Sequence, residues 1–346
     1  MRSITKNQAA RFLLLRHGLL GPYRYAGKEG ALDFVRSAGC IQYDPIDVCG
    51  RNAELVLQAR VKGFRKEMLH ELLYNERRLF DYWDKCMSII PAEDWLYFAR
   101  TRNAWSYNED AVRPALAHVR ETVVSNGPCC SDDIPNGKQK VRWPWGAAPI
   151  GRAALETLYF QGELVVFNKQ GTRKYYDLAE RHLPRELLQK EDPNRTQEAY
   201  YSWAIARRIG SVGLLWNRPS DAYLEIRGLD AASRTAAIEN LCSERVLDEV
   251  AVEGIRFPLY LLARDLPLLE KACSAESFSP RCAFIAPLDN LLWDRKLIEA
   301  VCDKDGQRLL VKQIWHEPGK RLPHGALEKA LVRFAHFNGC SELSEW

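Results

Sequence analysis

The sequence contains no CxxC, HxxxH or HExxH, and its adjacent Cys129 and Cys130 have no second pair at matching spacing. Metal ligands recur at such spacings because one local structure must aim two of them at a single ion, so no metal is expected. No GxxxxGK[ST] or GxGxxG follows a strand-like run, which removes the backbone cradle that holds nucleotide phosphates, and no cofactor is expected. The 7 histidines offer no Ser or Cys partner by spacing, so no hydrolytic triad can be nominated. No apolar run approaches the roughly 18 residues that span a bilayer, and MRSITKNQAARFLLLRHG is too charged for a signal peptide. The expected setting is the cytoplasm, away from membranes.

What the chain does have is enough apolar material for several cores: 346 residues, 47% hydrophobic and 27% charged. That length suits a few small domains better than one. The 10 cysteines are scattered, so free and mostly buried thiols are expected. A net charge of +4 permits a polyanionic partner without singling one out. Several cations fall on predicted turns and loops, where they can meet phosphates: Lys169, Arg173, Lys174 and Arg256. Arg51 and Arg60, at the two ends of NAELVLQAR, are counted with them as DNA-binding candidates.

The clearest unit starts at Pro149. Ala153, Ala154, Leu155, Leu158 and Tyr159 follow at helical spacing, and Gly162 is placed to end that helix. ELVVF and KYYDL then read as two strands of a hairpin around Gly171. A helix followed by a hairpin is the closing half of a winged helix. A second copy of the plan begins after an acidic linker near Gln189 to Asn194. It has a helix from about Gln197 to Ile209, a helix SDAYLEIRGL capped by Ser220, and a helix capped by Asp230. A hairpin of VLDEVAVEG and IRFPLYLL closes it. In the N-terminal third, Ala9, Phe12 and Leu13 mark one helix face, and Leu32, Val35 and Ala38 another that ends at Gly39. NAELVLQAR is another predicted helix, and FDYWDKCMSII reads as one extended run stopped by Pro91. This third is taken as a diverged winged helix.

One stretch could carry chemistry. In an extended Ile41-Gln42-Tyr43-Asp44, Gln42 and Asp44 point to one face and Tyr43 to the other. A carboxylate can accept a proton from a water whose oxygen an adjacent amide orients, which makes a compact hydrolytic pair. The same residues also suit a strand end followed by an Asx turn before Pro45.

At these residues the chain resembles the YcaQ/AlkZ family of winged-helix DNA glycosylases. The resemblance runs through IQYD with NAELVLQAR, FDYWDKCMSIIP, WPWGAAP with LETLYFQGELVV, YYDLAERHLP and APLDNLLWDRK, in the family's order and to about residue 300. It implies an α+β protein of tandem winged-helix modules forming a C-shaped DNA channel. Modules are expected at 1–120, 121–190 and 191–275, with a small, shortened β-rich domain at 276–346. It also implies that Gln42 and Asp44 are the catalytic Gln-x-Asp pair. Where relatives carry a histidine, this chain has Lys85, and after WDRKLIEA the usual β region shortens to VCDKDGQRLLVKQIWHEP. The implied activity is monofunctional hydrolysis of the N-glycosidic bond of alkylated purines and the unhooking of interstrand crosslinks. The partner would be double-stranded DNA carrying such lesions, bound by a monomer. The competing reading is a non-catalytic winged-helix DNA-binding regulator.

Overall fold

The first helix, Lys6–Arg16, starts at Thr5 through a reciprocal cap. Thr5 Oγ1 accepts the Gln8 N–H at 3.2 Å, and Gln8 Oε1 accepts the Thr5 N–H at 2.8 Å. The computed structural model describes residues 2–44, 46–47, 50–134, 139–144, 146–279, 281–301 and 324–337. Its mixed α/β architecture divides into two compact units, one of Met1–Leu69 with Thr196–Trp346 and one of His70–Arg195. The module expected at 1–120 straddles the first of these boundaries.

In the discontinuous unit, Ala9, Phe12 and Leu13 of the first helix are all buried, as are Leu32, Val35 and Ala38 of helix Gly27–Ala38. Removing each large apolar side chain from water is worth about 1.5–3 kcal/mol, which is why the 3.6-residue spacing shows through in the sequence. Gly39 ends the second helix at φ +80°, a conformation strained for any residue with a Cβ. A four-stranded sheet joins distant parts of the chain. Arg2–Ile4 runs parallel to Leu247–Val252, which pairs antiparallel with Leu259–Leu262, and Leu215–Trp216 completes the order. Helices Gln197–Val212 and Ala231–Ser243 precede the hairpin, and Asp230 Oδ1 caps the second by accepting the Ser233 N–H at 2.7 Å. The helix expected at SDAYLEIRGL is only one 3₁₀ turn, Asp221–Tyr223, because Glu225 at φ +66° leaves the helical region. Ser220 Oγ still caps that turn by accepting the Ala222 N–H at 3.1 Å.

In the second unit, helix Ile150–Phe160 ends in a Schellman motif. The Gly162 N–H reaches the Tyr159 carbonyl at 3.0 Å and the Glu163 N–H reaches Leu158 at 2.9 Å, with Gly162 at φ +81°. The chain then enters the hairpin Leu164–Gln170 and Arg173–Leu178, turned at Gly171. Val112 of helix Glu109–Asn126 packs with Val141, Trp143, Ala148, Ile150 and Ala153 beneath it. FDYWDKCMSII is not a single extended run. It folds back at Lys85, with Asp84 paired to Cys86, into strands Leu79–Asp84 and Cys86–Pro91. Cys86 adopts φ +54°, a left-handed turn that sequence periodicity does not reveal.

Two further expectations concern the C-terminal region and the cysteines. Among the described residues of 276–346 the regular elements are helical: a 3₁₀ turn Asn290–Leu292 and helices Arg295–Val301 and His324–Phe337. The strands expected in VCDKDGQRLLVKQIWHEP fall, Val301 apart, outside the described residues. The described cysteines are free, but only Cys40, Cys129 and Cys130 are buried; Cys86, Cys242, Cys273 and Cys282 are half-buried. Among the described residues no helix is long and apolar enough to cross a membrane.

Candidate active site

Gln42 ends the two-residue strand Ile41–Gln42 and is 8% exposed. Asp44 follows it, half-buried, and its Oδ1 accepts the Ile46 N–H at 2.8 Å. That bond is the Asx turn open to this sequence, and it fixes the carboxylate relative to the backbone while leaving Oδ2 outside the turn. Tyr43 is half-buried.

The backbone beneath the pair is held by residues that sequence reasoning left without a role. Asn52, the first residue of helix Asn52–Arg60, donates from Nδ2 to the Gln42 carbonyl at 2.6 Å, and its Oδ1 accepts the Leu288 N–H at 3.0 Å. Asn290 Nδ2 donates to the Cys40 carbonyl at 2.8 Å. Between these asparagine contacts, Asp289 Oδ1 meets Arg60 Nη2 at 2.6 Å and caps its own turn through the Leu291 N–H at 2.9 Å. Asp294 Oδ2 accepts the Trp216 Nε1–H at 2.7 Å and its Oδ1 the Leu297 N–H at 2.9 Å. Thus APLDNLLWDRK, visible in the sequence only as a family segment, supplies the frame of the Gln42 strand.

His17 lies in the same polar interior. Its Nε2 donates to the Val212 carbonyl at 2.9 Å, and burial first, then the Arg60 charge, holds its pKa down to about 3. The imidazole is therefore neutral at physiological pH.

The cations divide into surface and interior groups. Arg60 is completely buried; its guanidinium also donates to the Val56 carbonyl at 2.9 Å and lies 4.9 Å from the Phe34 ring centre. It is not a phosphate contact, because its charge is spent on Asp289. Lys169 is corrected in the same way: its Nζ pairs with Asp81, both side chains almost fully excluded from solvent. Lys174 lies over the Tyr159 ring at 5.7 Å, and burial lowers its pKa, so it too points inward rather than to solvent. Arg173 is exposed and pairs with exposed Asp132 at 2.8 Å. Arg256 is exposed beside Phe257, and Arg51 is half-buried with Nε 3.7 Å from Asp47. Gln42, Asp44, Arg51, Arg60 and Arg256 belong to the discontinuous unit, whereas Lys85, Lys169, Arg173 and Lys174 belong to the other. Lys85 is buried at the tip of its hairpin.

The fold is similar to that of Streptomyces sahachiroi DNA glycosylase AlkZ, with a TM-score of 0.61 and 16% sequence identity over 99% of each chain. A family model described as DNA glycosylase AlkZ-like matches residues 35–331, and the chain belongs to that family. It is a DNA glycosylase, a DNA-binding repair enzyme that hydrolyses N-glycosyl bonds.

Proposed function

We propose that this glycosylase excises N7-alkylated purines from duplex DNA, and unhooks crosslinks made through such bases, with Asp44 and Gln42 as its catalytic pair. What supports the reading is membership of the glycosylase family over residues 35–331, with Gln42 and Asp44 two residues apart at the end of the strand Ile41–Gln42 and Asp44 Oδ1 held by the Ile46 N–H at 2.8 Å. A purine alkylated at N7 is cationic. When the C1′–N9 bond breaks, its electron pair neutralises the departing base, so no general acid is required. The sugar gains oxocarbenium character, which the Asp44 carboxylate stabilises. Gln42 orients a water, its oxygen bonds C1′, and its proton passes to Asp44. With no amine nucleophile in the pair, the product is an abasic site.

In this reading the partner is double-stranded DNA bound by a monomer. Arg51, Arg173 and Arg256 contribute phosphate contacts, and winged-helix modules at 1–120, 121–190 and 191–275 border a C-shaped channel, followed by a small C-terminal domain. The order helix, short strand, helix, two-stranded hairpin over Gln197–Leu262 supports the third of these modules.

The test is Asp44→Asn with duplex DNA carrying one N7-methylguanine. Asparagine can keep the Asx bond, so the substitution separates the turn from the charge. Single-turnover excision should fall by about 10²–10⁴-fold with DNA affinity little changed. Excision at the wild-type rate would leave the turn as Asp44's whole role and overturn the mechanism.

A further inference from the structure

Building on the reading of Gln42 and Asp44 as the catalytic pair, we infer that Asn52 and Asn290 are positioning residues that clamp the strand carrying Gln42. Carbonyls two residues apart leave an extended chain on the same edge, and here those of Cys40 and Gln42 each accept a buried asparagine amide, at 2.8 and 2.6 Å. The two asparagines hold that edge of the strand from helix Asn52–Arg60 and from the turn Asn290–Leu292.

The amide of Asn52 has one workable orientation. Nδ2 faces a carbonyl and Oδ1 faces an N–H, so a flipped group would set oxygen against oxygen and N–H against N–H. The arms of the clamp are also tied to each other. Helix Asn52–Arg60 bonds the same loop from both ends, through Asn52 to the Leu288 N–H and through Arg60 to Asp289, and that loop presents Asn290. With Asn52 4% and Asn290 0% exposed, both amides donate in the interior, where losing either bond would leave the Gln42 or the Cys40 carbonyl without that donor.

Asn52→Asp preserves volume and the acceptor for Leu288, but puts an oxygen against the Gln42 carbonyl. Since a misplacement on the order of 1 Å can cost about 10²-fold, single-turnover excision of N7-methylguanine should fall by about 10–10²-fold with DNA affinity unchanged. The decisive measurement is a cycle with Gln42→Ala. If Asn52 acts through Gln42, Asn52→Asp costs nothing further in the Gln42→Ala background. Losses that multiply, or Asn52→Asp at the wild-type rate, would overturn the proposal. If Asn52→Asp fails to fold by circular dichroism, Asn290→Ala, which removes the bond to Cys40, takes its place in the cycle. Loss confined to the Gln42 background then supports the clamp, and multiplying losses or a wild-type rate overturn it. Gln42→Ala at the wild-type rate would overturn the underlying catalytic reading, and the clamp with it, and that result is read independently of either asparagine.

Discussion

Arg60 and Asp289 form a 2.6 Å ion pair with both side chains wholly excluded from solvent. Breaking such a pair leaves an uncompensated charge in the interior, at a cost of about 3–5 kcal/mol. Arg60→Ala should therefore lower the urea midpoint sharply, and Asp289→Asn less. In a folded Arg60→Met, Asp289→Leu double variant, the salt dependence of DNA binding should match wild type. A shallower salt dependence would return Arg60 to the DNA-contacting set.

The exposed arginines should behave in the opposite way. Each phosphate neutralised on B-DNA contributes a slope of about −0.9 in log K against log salt. Arg173→Ala and Arg256→Ala should each make the slope shallower by roughly that amount without moving the melting temperature, since both are exposed and Arg173's partner Asp132 is a surface group. Lys169→Met should instead destabilise the protein, by leaving Asp81 buried without its cation. A change in salt slope for Lys169→Met at unchanged stability would contradict this division.

His17 predicts a particular acid sensitivity. An ordinary histidine titrates at 6.5 and this one is held down to about 3, chiefly by burial. Between those values the unfolded chain binds a proton that the folded one does not, so stability rises with pH and is lost on acidification. The loss is about 1.4 kcal/mol per pH unit once well below 6.5. His17→Gln retains a donor for the Val212 carbonyl but has no proton to gain. Its stability deficit relative to wild type should shrink between pH 7.5 and 5 in denaturant titrations. A deficit independent of pH would exclude the assignment.

Gln42→Ala should slow excision less than Asp44→Asn, because it loses the orientation of water rather than the proton acceptor. Single-turnover rates at matched pH decide the order. A larger loss at Gln42 would transfer the principal role to the amide.

Local features of this fold could be read directly from the sequence. The glycines at 39, 162 and 171 stand where a left-handed backbone is required, and Asp230 caps the helix it precedes. Gln42 and Asp44 were legible as a pair because both the extended geometry and the family segment lie within three residues. The fate of the cations was not legible. Arg60, Lys169 and Lys174 look like surface groups beside their neighbours, but what neutralises the first two lies 229 and 88 residues away, at Asp289 and Asp81. Asn52 and Asn290 went unrecognised for the same reason. An asparagine at a helix start suggests a cap, and nothing nearby discloses that its amide is turned toward Gln42. The hairpin at Lys85 was missed because alternation continues through it, and the turn depends on one left-handed residue, Cys86.

The discontinuity of the first unit also sets an order for its birth on the ribosome. Residues 70–195 form a unit of contiguous chain and can fold as soon as they emerge, whereas Cys40 and Gln42 wait for partners at 290 and, through Asn52, at 288. Closing those long loops costs chain entropy before any contact repays it, which slows this half relative to the other. A nascent chain stalled before residue 286 would thus carry a finished second unit while the strand of Gln42 still lacked its frame. Synthesis of residues 286–296, rather than of residues 41–44 themselves, would then mark when the Gln42 strand gains its frame.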